Sequence, residues 1–455
     1  MPTIAVETLP PAGDAAGRLR RGLFLATGLA VPLYAFPPFR VLGRDVDLAS
    51  ALAAVFVLSC ASLWARGRIP RPFGLFFLFA AVLPLLVWIP PRPETFTRGA
   101  FLVSYAHWLL VISFFASAAS LSFTAASRRS LVLAHSGAAL AVAAFALYQV
   151  VGVPKQWPGT GVFLIPLQRE AFRFTRIGGT FFGGGYTRPT SIFLEPAWLG
   201  GYLAWVAACS FEALLRGSRE FSGAARVVLG GAALFCSAAI LATVSWGAYG
   251  DFAVVLAATF ALTSPRDSRA SRAAGVLLIA GLLCAVALSP VGRPVRAAIA
   301  ERWGNLESTP LTGSDPNRAK DSSWVRVRNL RHTADLFAAH PLRGIGLGQF
   351  ALHAERGGLS DASLRDPWCG WVAIGAAVGA GGPVLIAAAL LLAVSAAVRG
   401  PSPAPIAIVL VLLAAFVQIH TGSYSDLWWW YPVSLAAVLS RQAPVFSPGS
   451  PASGG

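Results

Sequence analysis

Charge is what this chain has least of. Asp, Glu, Lys and Arg make up 12% of its 455 residues, 56% are hydrophobic, and mean hydropathy is +0.64. A soluble domain carries about 25% charged residues, so a globule of this composition could not cover its surface in water. That excludes soluble folds, coiled coils and disordered chains and leaves a polytopic membrane protein. Lysine is almost missing, with Lys155 and Lys320 alone, so Arg supplies nearly all positive charge. The few cysteines (Cys60, Cys209, Cys236, Cys284, Cys369) fall in or beside apolar runs. An odd count in such places offers neither a disulfide framework nor a metal set. There is no P-loop, no Rossmann glycine pattern after a strand, no HExxH, no CxxC pair and no 20–50-residue repeat. The polar N-terminus, through Arg21, lacks the short apolar core and small-residue cleavage site of a signal peptide.

What is present is a succession of long apolar runs. A helix needs ~20 mostly apolar residues to cross ~30 Å of hydrocarbon. Runs near 22–39, 47–64, 72–90, 100–120, 131–153, 191–215, 225–244, 247–263, 273–291, 368–398, 404–420 and 426–440 predict twelve spans. The eighth contains Asp251. The tenth carries Gly379, Gly381, Gly382 and Pro383 and is expected to kink or break. Sixteen basic residues fall in tails and loops on one side, against four (Arg40, Arg44, Arg92, Arg98) in the short loops on the other. By the positive-inside rule the first side is cytoplasmic.

The expected fold class is therefore an all-α polytopic membrane protein with about twelve transmembrane helices and two large periplasmic loops. It divides into an N-terminal tail 1–21, spans 22–153, a loop 154–190, spans 191–291, a second loop 292–367, spans 368–440 and a Pro/Ser/Gly-rich tail 441–455, expected to be disordered. The formal net charge of +16 would point to nucleic acid in a soluble protein. Here sixteen of the bases set topology, and sixteen more lie in the two long outer loops against nine acids. No nucleic-acid partner is expected.

The first outer loop has Lys155, Arg169, Arg173, Arg176 and Arg188 against Glu170, with a glycine-rich stretch from Gly178 to Gly185. The Arg fork suits phosphate oxygens, and flexible backbone N–H groups beside it extend such an anion site. A solvated loop lying near anionic headgroups is the alternative. The loop ends in Arg188-Pro189-Thr190-Ser191-Ile192-Phe193-Leu194-Glu195-Pro196. Glu195 is expected a few residues inside the sixth span, either as a functional carboxylate or as an ion-pair partner of Arg188.

The second outer loop contains an amphipathic helix that Ser322 or Ser323 can cap. Val327, Leu330, Ala334 and Phe337 follow helical spacing on its apolar face; Arg328, His332 and Asp335 lie on another. It is expected to end at His340-Pro341 and to lie along the outer membrane surface. The following Leu342-Arg343-Gly344-Ile345-Gly346-Leu347-Gly348-Gln349-Phe350 has glycines suited to a tight turn and close backbone approach. His340 is either a general base or a helix-end group bonding free carbonyls. His107, His135 and His420 are expected to be packing or hydrogen-bonding groups.

The segment from Arg326 through His340-Pro341-Leu342-Arg343-Gly344 to Phe350 resembles the signature of the O-antigen ligase/polymerase superfamily: an Arg about fourteen residues before an H-P-L-x-G-x-G-x-G-x-F turn. Arg188 to Pro196 is similar to the Arg…Phe-x-Glu-Pro stretch of its polysaccharide polymerases. The resemblance covers most of the chain in loop placement and span count. It implies a GT-C-like, metal-independent membrane glycosyltransferase without cofactor. The donor would be an undecaprenyl-diphosphate-linked glycan and the other partners membrane lipids and a chain-length regulator. Arg188, Arg326, Arg328, Arg176, Arg173 and Arg343 would hold the diphosphate.

Two departures refine this. Where ligases carry His-Asn, nine residues before Gly-x-x-Gly, this chain has Trp368-Cys369 before Gly379 and Gly382, which favours a polymerase. Where members often have Ser-Arg, it has Ser245-Trp246. The base role then falls to His340, Glu195 or Asp366, in that order. The competing expectations are a ligase acting on lipid A-core and, in another class, a transporter or flippase of a lipid-linked or anionic substrate. Transporters place charged groups at the midplane, whereas the Arg clusters here lie in outer loops.

Overall fold

A bilayer core offers no water to peptide groups, so each spanning segment must bond its own backbone. The computed structural model describes residues 15–160, 180–181, 186–216, 221–262, 293, 296–297, 299–300, 322–356, 367–399, 405–421 and 424–439, apart from 35, 42–43, 90–92, 94–95 and 194. Helix α1 (Ala15–Ala30) runs into a 3-10 turn, Val31–Leu33, and a hairpin of β1 (Phe39–Val41) and β2 (Arg44–Val46). There follow α2 (Leu48–Ser59), α3 (Ala61–Ala65), α4 (Arg71–Val82) with a 3-10 extension Leu83–Trp88, α5 (Arg98–Ala118) and α6 (Ala125–Gly152). Two short antiparallel strands, β3 (Thr180–Phe181) and β4 (Thr187–Arg188), set Thr180 opposite Arg188. Then come α7 (Pro196–Arg216), α8 (Gly223–Ala242), α9 (Trp246–Leu262), α10 (Ser322–Ala339) and α11 (Phe350–Arg356). The chain closes with α12 (Gly370–Val378), α13 (Gly381–Arg399), α14 (Pro405–His420) and α15 (Leu427–Leu439).

Among the described residues, seven helical stretches are long and apolar enough to cross a membrane. The protein is therefore an all-α, multi-pass membrane protein. In α7, 78% of the apolar stretch is buried, against 28–39% in the other six, so α7 is the central helix and the others keep a face for lipid. Leu58, Phe79, Val227 and Val384 are exposed on those faces. Every residue of α15 is buried too. Its Tyr431 stacks on Phe24 at 4.9 Å and on His135 at 5.4 Å. Gly28 makes this possible, because a Cβ there would collide with the Tyr431 ring.

Three helix boundaries depart from the apolar runs. The first run predicts a helix to 39, but the helix stops at Leu33 and the chain turns into the β1–β2 hairpin. The sixth predicts a helix from 191, but α7 starts at Pro196, whose ring suits a first helical turn. The tenth breaks as its glycines predict, with Gly379 at φ +80°. Its first piece, α12, is about 13 Å long, too short to cross the bilayer. Gly370 packs at the end of α14, against Gln418 and Thr421, while Gly379 meets Leu342 and Gly381 meets Leu83. Helix α12 thus lies across one end of the bundle, and the span begins only at Gly381. The ninth run, 273–291, and both tails lie outside the described residues.

The two ends of the bundle differ. At one, Arg20 donates to the Ser59 carbonyl at 3.0 Å, covering a carbonyl that the end of α2 leaves open, and Arg21 to that of Ser122, in the α5–α6 connection, at 3.4 Å. At the other meet the start of α9, the end of α14, the start of α12 and the segment before α7. This second end holds the candidate site.

Candidate functional site

Arg188 is seated by its neighbours. Its Nε donates to the Thr243 carbonyl at 2.7 Å, and the Tyr186 hydroxyl donates to that of Ala242 at 2.5 Å. Both carbonyls belong to the last turn of α8, where no intrahelical donor remains and a cation is favoured. Arg188 is 8% exposed. The next residues are clamped by Gln149 of α6, fully buried. Its carboxamide oxygen accepts from Thr190 N at 3.2 Å and Ser191 N at 2.7 Å, and its nitrogen donates to the carbonyls of Ser191 at 3.0 Å and Thr160 at 3.3 Å. Ser191 has φ +52° and anchors its hydroxyl on the Val142 carbonyl. Three of these four hydrogen bonds hold the Arg188 segment in a conformation L-residues rarely adopt, and the fourth ties it to the chain at Thr160. Gln149 escapes a sequence reading because a lone Gln in an apolar run carries no motif.

Glu195 is half-buried and sits one residue before α7, where its backbone carbonyl accepts from Leu199 N at 3.1 Å. It therefore flanks the span rather than lying inside it, next to the positive end of the α7 dipole.

Arg326 lies on the first turns of α10, its guanidinium 4.4 Å from the centre of the Trp368 ring, a cation–π contact. Trp368 precedes Cys369, which has φ +65° at the start of α12. Val244, just after the carbonyl that receives Arg188, has φ +46°. For a β-branched residue that is a strained conformation, of the kind that clusters at functional sites. The buried face of α10 differs from the apolar stripe of its sequence. Leu330 and Ala334 are exposed, while Asn329 and Thr333 are fully buried. The Thr333 hydroxyl bonds the Asn329 carbonyl at 2.6 Å, so it enters the contact with its polar group already satisfied. Arg328 is half-buried on the same helix as His332. Partial burial pushes the His332 imidazole below its ordinary value; nearby Asp335 opposes this and Arg328 adds to it. The His332 ring packs on Phe350 at 5.6 Å.

His340 ends α10. It is fourteen residues after Arg326, about 21 Å along the helix axis. The structure thus does not bring these two together. The turn after His340 is built into the scaffold instead. Ile345 N donates to the Ala376 carbonyl at 2.8 Å, Gly346 N to that of Ala377 at 2.9 Å, and Ala380 N to that of Pro341 at 2.7 Å. Gly344, Gly346 and Gly348 all have positive φ, and a Cβ at Gly344 would overlap the Ala377 backbone. The Gln349 side chain pairs with both backbone groups of Thr97, at 2.8 and 3.0 Å. Arg343 donates to the Ile89 carbonyl at 2.8 Å. The glycine spacing therefore serves close backbone approach, fastening the turn to α12 and to the start of α5. Asp366, Arg173 and Arg176 lie outside the described residues.

A pair that the sequence left unconnected sits at the Arg326 side. His420 Nε2 and Asp251 Oδ1 are 2.9 Å apart, joining residues 169 positions apart. Gly247 and Gly250 of α9 make the room, because Cβ atoms there would press on the His420 and Phe416 rings of α14. Asp251 stands out in an apolar run, but its partner is set by helix packing alone.

The chain matches no protein-family model and no curated protein. Its chemistry must therefore be read from its own residues. An apolar groove of about 500 Å³ between α4 and α13, lined by Phe76, Phe79, Leu83, Val384 and Leu385 among others, has no charged side chain in its lining and does not include Arg188.

Proposed function

We propose that the protein polymerises lipid-linked polysaccharide repeat units, transferring a glycan from undecaprenyl diphosphate to a sugar hydroxyl at the outer face of a bacterial inner membrane. In this reading the chain has twelve spans and its two long loops face the periplasm. The observation that carries it is the anchoring of Arg188 and Arg326, from loops far apart in sequence, at one end of the bundle, the first on the end of α8 and the second on Trp368 before α12. Both match motif positions of the superfamily the sequence resembles. Trp368 in place of the ligase His supports a polymerase over a ligase.

The chemistry follows from charge. As the anomeric C–O bond breaks, negative charge grows on the leaving diphosphate. Guanidinium groups held in place beforehand stabilise that charge with little reorganisation. The prenyl tail stays among lipid-facing helices.

The test replaces the chromosomal gene with Arg188→Lys and Arg326→Lys and resolves the glycan by length. Lys keeps the charge but not the planar fork. Single-unit glycan in place of long chains is the expected result for each, with normal amounts of inserted protein. Unchanged chain length in both variants and in the Ala variants would sink the reading. Gene deletion separates the alternatives: accumulated lipid-linked polymer would indicate a ligase, and unpolymerised units held at the cytoplasmic face a flippase.

A further inference from the structure

We propose that His420, held by Asp251, is the general base that takes the proton of the acceptor hydroxyl. This rests on the glycosyltransferase reading and names the base that the sequence sought among His340, Glu195 and Asp366.

Four observations carry it. First, the pair lies at the same end of the bundle as the anchored Arg side chains. Trp368, under Arg326, is two residues before Gly370, which packs on Gln418 and Thr421 at either side of His420. On the other flank, α9 begins three residues after Thr243, which receives Arg188. Second, the exposures are graded as a base and its support need: the Asp251 side chain is 0% exposed and that of His420 19%. Third, the two ring nitrogens are in different situations. Nε2 faces the carboxylate, whereas Nδ1 has no partner among the described residues and is not buried. With Nε2–H donating to Asp251, the lone pair is on Nδ1, so the carboxylate selects the basic tautomer. Fourth, a Cβ at Gly247 would stand 2.5 Å from Nδ1, 2.7 Å from Cε1 and 3.0 Å from Cγ. Near-equal distances to Nδ1 and its two ring neighbours put Gly247 over the ring face. The glycine thus packs on the face of the imidazole and does not itself stand in the in-plane direction of Nδ1.

The step is balanced. The acceptor O–H proton passes to Nδ1 while the acceptor oxygen bonds the anomeric carbon. The C–O bond to the diphosphate breaks, leaving its electron pair on the phosphate oxygen. Asp251 stabilises the imidazolium until its proton passes to water. A carboxylate within an apolar helix is costly unless it has such work. Its second oxygen, Oδ2, is buried without a partner among the described residues, beside Gly201.

The alternative is a clasp between α9 and α14 with no chemical role, and His420→Gln separates the two. A Gln amide still donates to Asp251 but takes no proton at neutral pH. Chain elongation is measured in spheroplasts carrying their own lipid-linked units. Binding of undecaprenyl diphosphate, as the probe, is measured on the purified full chain in nanodiscs. His420→Gln is expected to retain probe binding and lose at least about 100-fold in elongation. Asp251→Asn, a change at a positioning residue, should retain binding and lose at least about tenfold. Added imidazole should restore elongation to His420→Ala and not to Arg326→Ala. Elongation within about threefold of wild type in His420→Gln overturns the assignment, as does a His420→Ala protein that binds probe without imidazole rescue. If wild-type protein does not bind the probe and the Arg variants elongate normally, the glycosyltransferase reading fails instead.

Discussion

At the Arg326 end of α10, side chains carry the interactions: a guanidinium on an indole, a second one on a helix-terminal carbonyl, an imidazole on a carboxylate. At the His340 end, about 21 Å away, the backbone carries most of them: carbonyls and N–H groups of the turn pair with α12, three left-handed glycines bring them close, and the Gln349 and Arg343 side chains add bonds to the backbone of Thr97 and Ile89. Both ends have basic residues, a histidine and glycines in their sequence. They differ in what the glycines admit. Near His420 the missing Cβ atoms make space for the His420 and Phe416 rings; in the turn after His340 they make space for another main chain. A glycine-rich motif can therefore serve the scaffold, and on the chemistry proposed above the reacting groups come from other helices.

That contrast can be broken most forcefully at Gly344. Gly344→Val combines a β-branched residue at φ +67° with a Cβ overlapping the Ala377 backbone. It should cost at least about 2 kcal/mol and appear as a loss of inserted, protease-resistant protein. Wild-type yield and melting temperature would show that the turn is not fastened as described. A milder change sharpens the same point. His340→Ala is expected to keep elongation within about tenfold of wild type, because with His420 as the proposed base His340 acts only through positioning. A loss as deep as that of His420→Gln would move the base to the other end of α10.

The smallest effect concerns pH. His332 is held below its ordinary pKa chiefly by burial, so the folded state favours the neutral ring. Its contribution is complete above about 6.5 and is lost as pH falls from there toward the lowered folded value, the unfolded chain binding the proton first. Protection factors of α10 amides, with the pH-dependent intrinsic exchange rate divided out, should fall between pH 7.5 and pH 5.5 in wild type. His332→Phe should remove that pH dependence, and identical profiles in the two proteins would argue against it.

Composition and periodicity settled the coarse architecture. With 12% charge and 56% hydrophobic residues the chain is membrane-embedded, its apolar runs of ~20 residues make it helical, and Gly379 marked where the tenth run breaks. Local rules also placed α10, ending before Pro341, and the left-handed glycines after it. What packing alone decided is which residues meet. Asp251 and His420 are joined because Gly247 and Gly250 let α14 lie flat on α9. Arg188 is held because α8 ends with open carbonyls beside it, and Gln149 because its carboxamide is long enough to span the turn at Ser191. The apolar stripe of α10 misled for the same reason: Thr333 can be buried once its hydroxyl is bonded within its own helix. Spacing along one segment dictates one element and its faces, but a pair drawn from two helices depends on how closely their backbones approach, and no local pattern encodes that distance.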